Sequence, residues 1–91
     1  MFPSDRPLSD RDRAILDFER SWWVSATGSK EHAIREVLGI SSGRYYSLLN
    51  GLLDLPSALA YDPLVVRRRR RDRDARRRAR YEGRSAGPSV R

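Results

Sequence analysis

Ile34-Arg35-Glu36-Val37-Leu38-Gly39-Ile40-Ser41-Ser42-Gly43-Arg44-Tyr45-Tyr46-Ser47-Leu48-Leu49-Asn50 is the stretch on which the reading of this chain turns. Ile34, Val37 and Leu38 recur at spacings of three and four, which places them on one face of a helix. Gly39 follows where that helix must stop and the chain must turn, a conformation that a residue without Cβ adopts at little cost. Ile40 is an apolar plug. Ser41 or Ser42 supplies an oxygen for a free amide at the start of the next helix. Tyr45, Leu48, Leu49 and Leu52 resume helical spacing and pack back on the first helix. The stretch reads as helix, tight turn, helix.

That order resembles the helix-turn-helix of DNA-binding proteins, whose second helix lies in the major groove. Ile34, Leu38, Ile40, Tyr45 and Leu48 fit its apolar pattern. Arg35 departs from it, because the pattern has a small residue there; Ala33 takes that place if the crossing is shifted. Glycine turns also join amphipathic helices that never touch DNA. If Tyr45, Leu48 and Leu49 point inward, Ser42, Arg44, Tyr46, Ser47 and Asn50 face outward from a helix over 42–53. Arg bridges guanine, Asn bridges adenine, and hydroxyls suit phosphates. The plainer alternative is a solvated polar face with one formal charge.

Upstream, Ser9 and Asp12 have the spacing of a capping box, and Ile15, Phe18 and Trp22 form a helical stripe behind them. Trp22 is the expected largest core residue; Trp23, about 100° round the helix, is expected half exposed. Ala26-Thr27-Gly28-Ser29 breaks this helix, and Ser29 caps the next, with Glu31 favourably placed in its first turn. Residues 9–62 thus make a three-helix, helix-turn-helix-like bundle behind a loose lead-in over 1–8. Downstream, Pro56 starts a short helical turn. Asp62 and Pro63 then have the residue types of an N-cap and first helical position, opening a basic helix or arm over 63–82. Residues 83–91, rich in Gly, Ser and Pro, read as a disordered tail.

The chain has 91 residues, room for one domain with a marginal core. It has no Cys, which excludes disulfides and thiolate chemistry and suits a reducing cytoplasm. No apolar run of about 18 residues and no basic-then-apolar leader is present, so a cytoplasmic, nucleoid-associated protein is expected, with no membrane partner. Strand-like alternation is missing, and the class is all-α. No glycine-rich phosphate loop, metal-ligand set or catalytic triad can be assembled, and His32 has no nucleophile to pair with. The chain reads as non-enzymatic and without a cofactor. Asp17 with Glu19, and Asp72 with Asp74, read as surface ion pairs.

Charge is unevenly placed. Residues 1–62 carry seven basic and nine acidic side chains, whereas 63–91 carry twelve Arg and three acids. Arg67, Arg68, Arg69, Arg70, Arg71, Arg73, Arg76, Arg77, Arg78 and Arg80 crowd into fourteen residues. Such a run releases condensed counterions from a phosphate backbone and conveys affinity without sequence choice. Arg in place of Lys favours forked phosphate contacts. DNA is favoured, and RNA fits the same chemistry. Repulsion among like charges suggests that full helicity here needs a polyanion, although Asp72 and Asp74 can pair with neighbours a turn away.

Leu8-Ser9, Phe18-Glu19-Arg20-Ser21-Trp22-Trp23, Gly39-Ile40-Ser41, Arg44-Tyr45-Tyr46, Leu49-Asn50 and Asp62-Pro63, followed by a basic stretch, also resemble a small and mostly uncharacterised actinobacterial family. The resemblance spans about residues 8–80. It implies a high-GC actinobacterial or phage source, and as a domain of unknown function it implies little about activity. The leading expectation is a small transcriptional regulator or nucleoid-associated factor that binds DNA. The rival is an adaptor of the transcription machinery that docks through Trp23 and Tyr46, or an RNA-binding protein. A homodimer is a further expectation, because Leu53, Leu55 and Leu59 need cover.

Overall fold

Each of the first three helices begins on a serine. In the computed structural model, which describes residues 5–86 and the side chains as far as Tyr81, the Ser9 hydroxyl accepts the Asp12 amide at 3.1 Å. The Asp12 carboxylate accepts the Ser9 amide at 2.9 Å, so the expected capping box forms and starts α1 (Asp10–Ser25). Ser29 caps α2 (Lys30–Leu38) through the His32 amide, and Ser41, not Ser42, caps α3 (Ser42–Leu52) through the Arg44 amide. Between them Gly39 sits at φ 71°, in the left-handed region, and its amide bonds the Arg35 carbonyl at 3.0 Å. This is the glycine stop that the sequence implies.

Two more helices follow. Pro56 opens the short α4 (Pro56–Tyr61), and Asp62 separates it from α5 (Pro63–Ala86). The Asp62 carboxylate accepts the Val65 amide at 3.2 Å and an Arg20 guanidinium nitrogen at 2.8 Å, so one side chain both caps α5 and ties it to α1. α5 is a continuous helix, roughly 36 Å long at the usual rise per residue. It runs to Ala86, past the expected end at 82; residues 87–91 and 1–4 lie outside the described residues. Residues 5–8 are less loose than expected. Asp5 accepts the Ser57 amide at 3.0 Å, and Arg6 pairs with Asp12 at 2.5 Å. All described regular structure is helical, as expected of the class.

The core gathers Ile15, Leu16, Ile34, Tyr45, Leu49, Leu52, Leu53, Ala58, Val65 and Val66 from all five helices. Trp22 is not its largest member. It is half-buried, stacked on Phe18 at 6.0 Å, and Tyr45 is the largest fully buried side chain. The last turn of α1, where Trp22 sits, edges an open groove against α2. Val37, expected on the inner face of α2, is 67 % exposed, while Ala33 is packed against the core and Arg35 points outward. The departure at Arg35 is therefore kept out of the core. Leu53 and Leu55 are buried and Leu59 is half-buried within this single chain, which removes the reason for expecting self-association.

Leu53→Ala is expected to lower the unfolding free energy by about 2–5 kcal/mol, the usual range for an emptied leucine site. Urea denaturation should give the same loss at every protein concentration, because Leu53 is covered from within its own chain.

Candidate nucleic-acid interface

Glu19 positions the basic helix. Its side chain is 1 % exposed, and one carboxylate oxygen accepts the Tyr45 hydroxyl at 2.5 Å and the Lys30 ammonium at 2.9 Å. The other oxygen lies 3.7 Å from the Arg69 guanidinium. Glu19 is therefore no surface ion-pair residue, contrary to the expectation from sequence. It stands four residues after Ile15 and three after Leu16, on the buried face of α1. Burial raises the carboxyl pKa, but the bonds from Tyr45 and Lys30 and the charges of Lys30 and Arg69 outweigh it, so the net direction is down. The Tyr45 phenol is pushed up, by burial first and by its bond to Glu19 second.

This clamp changes the meaning of the arginine run. Val65 and Val66 dock α5, and the same helical face continues through Arg69, Arg70 and Arg73. Arg69 joins Glu19 and Asp72. Arg70 donates from Nε to the Leu53 carbonyl at 2.6 Å, and Arg73 reaches the two carboxylate oxygens of Asp54 at 3.3 and 3.4 Å. Arg68 lies 4.5 Å over the Trp23 ring. These four of the ten expected phosphate ligands hold the helix to the body. Arg67, Arg71, Arg76, Arg77, Arg78 and Arg80 are exposed.

On α3 the expected outward set is partly realised. Arg44, Ser47 and Asn50 are exposed, and Ser42 is half-buried. Tyr46 turns inward: its ring meets the Tyr45 ring edge-on at 5.0 Å, with Lys30 at 5.2 Å and Arg69 at 5.8 Å from it. It lies only about 100° round the helix from the buried Tyr45, and the core extends that far. Gly43, Gly51 and Asp54 complete the exposed face.

Where α5 passes the end of α3, Asn50, Gly51 and Asp54 on one side and Arg69, Arg73, Arg76, Arg77 and Arg80 on the other line a groove of about 460 Å³. Positions 69, 73, 76, 77 and 80 follow helical spacing, so the stripe continues the docked face beyond the body. Among the described side chains, no carboxylate pairs with Arg76, Arg77 or Arg80. The Nε atoms of Arg69 and Arg73 are buried without a hydrogen-bond partner among the described residues, although Asp74 lies 3.5 Å from the latter. Gly51 and Asp54 were not expected from sequence to belong to this site. Their signal was present in the spacing from Asn50, but the facing wall begins fifteen or more residues further along the chain.

His32 and Glu36 approach to 3.7 Å on an exposed surface, and no group of three or more His, Cys, Asp or Glu among the described residues could hold a metal ion. No described helix is long and apolar enough to cross a membrane. The molecule is thus an all-α, helix-turn-helix-like bundle with an arginine-rich helix clamped to it. It belongs to the family described as "Protein of unknown function (DUF3263)", whose family model matches residues 7–81. Comparison with curated proteins and with solved structures gave no match.

The folded Glu19 pKa lies below the ordinary 4.5, so its contribution to stability is present above that value and is lost as pH falls through the folded pKa. Glu19→Gln should remove that acid-side dependence in urea titrations. It should also cost about 3–5 kcal/mol at neutral pH, because Lys30 and Arg69 lose their buried counter-charge. A Cβ at Gly51 would meet nothing within 4 Å, so Gly51→Ala should raise stability by about 0.5–1 kcal/mol in the same assay.

Proposed function

We propose that this protein is a non-enzymatic nucleic-acid-binding protein, with DNA as the favoured polymer, acting as a small transcriptional regulator or nucleoid-associated factor. The observation that carries this reading is one groove with Asn50 and Gly51 at the end of α3, and Asp54 after it, on one wall and five arginines of α5 on the other. Arg44, near the start of α3, and Ser47 and Asn50 along it are the side chains that would meet base edges in a major groove. Arg76, Arg77 and Arg80 stand beside that face and would take the adjoining phosphates. Arg67, Arg71 and Arg78 lie about half a turn round α5 from the groove. They would add long-range attraction without docking on the polymer.

Fluorescence anisotropy with a random-sequence duplex tests this. Changing Arg76, Arg77 and Arg80 together to Ala should weaken binding and flatten the log–log salt slope by about 0.9 for each phosphate no longer neutralised. The same charge change at Arg67, Arg71 and Arg78 should do markedly less. Arg44→Ala and Asn50→Ala should alter preference among selected sites. If both leave affinity and preference untouched, α3 is not the reading helix.

One observation favours a second reading, a protein-docking adaptor. Phe18, Trp22, Ala33, Val37 and Leu38 line an open apolar groove of about 550 Å³ between α1 and α2. Trp23 and Tyr46, the contacts expected for such a role, are occupied by Arg68 and by the Tyr45 ring. Partner capture that survives nuclease treatment and is abolished by Val37→Asp would support the adaptor instead.

A further inference from the structure

We infer that the groove between the end of α3 and α5 seats a single, unpaired nucleic-acid strand, with its phosphates along Arg76, Arg77 and Arg80 and a base stacked on Tyr81. This rests on the nucleic-acid reading above and puts an unpaired strand, in place of a duplex, in the groove.

The groove has two protein walls. A strand lying in it meets guanidinium groups from α5 and the Asn50 amide from α3. An unpaired base lying there would have a free edge for Asn50, whose amide both donates and accepts. Arg69 and Arg73 are engaged by Glu19, Asp72 and Asp54, so the arginines open to a strand are Arg76, Arg77 and Arg80, which cover roughly 6 Å of helix axis and lead directly to Tyr81.

Tyr81 is the second element. It is 71 % exposed, one turn beyond Arg77 and at the shoulder of the arginine stripe. A positively charged track beside an aromatic ring is the recurrent arrangement for binding single strands, because every base has a face to stack while only an unpaired base presents it.

The test uses the full chain in anisotropy titrations with a short, unstructured homopyrimidine strand, as DNA and as RNA, and with the duplex of the same length. The strand is expected to bind more tightly than the duplex. Tyr81→Ala should weaken strand binding about 5- to 150-fold, the range for loss of one base–aromatic stack, and leave duplex binding unchanged. Tyr81→Phe should restore it. Changing Arg77 and Arg80 together should cost more strand affinity than the equal charge change at Arg67 and Arg71. Tighter duplex binding with no effect of Tyr81→Ala overturns the strand seat while leaving the nucleic-acid reading in place. Equal losses from the two arginine pairs overturn the groove as the seat. No binding of either polymer at low salt overturns both readings.

Discussion

A single buried carboxylate holds this small fold together. Glu19 on α1 receives Lys30 from α2, Tyr45 from α3 and Arg69 from α5, so four helices share one acceptor group. An isolated charge at this depth would be strongly unfavourable, and it is tolerated because both oxygens have positive or hydrogen-bonding partners. The apolar core supplies the bulk of the burial. Glu19 ties α2, α3 and α5 to α1 through those three groups.

The clamp also lets a helix with ten arginines in fourteen residues lie against a body. Solvated ion pairs contribute little, so Arg73 with Asp54 is weak support by itself. Arg69 is different, because its side chain is only 12 % exposed and its partner is buried. With Val65 and Val66 packed before it, Arg70 bonded to the Leu53 carbonyl and Arg68 over Trp23, the first half of α5 is fixed. Arginine is suited to this work, since its planar head stacks on an aromatic ring and its donors fan out to several acceptors. Part of a run that looks like one electrostatic tail is thus structural cement.

The second half of α5 continues in the register that the first half sets. Because the docked face and the arginine stripe share one helical repeat, Arg76, Arg77 and Arg80 are brought beside the exposed end of α3 and not turned away from it. Charge concentrated in a concave site is felt more strongly by an anion than the same charge spread along a free tail. A local packing choice at Glu19 is thereby transmitted, through a rigid helix, to the shape of the candidate binding groove.

Sequence by itself determined what depends on near neighbours. The serine caps, the left-handed Gly39, the Asp62-Pro63 start and the all-helical class are set by residues within about one turn of each other, where side-chain chemistry and backbone geometry leave few options. The exposed positions Arg44, Ser47 and Asn50 follow from helical period alone. Tertiary structure decided everything that required a distant partner. Glu19 and Asp17 look alike in sequence, and only the approach of Lys30, Tyr45 and Arg69 makes one of them a buried hub. Trp22 is larger than Tyr45 but lies where α1 outruns its cover. The ten arginines are chemically identical, and which of them pack and which face the groove is fixed by the angle at which α5 docks, a quantity that no local pattern encodes.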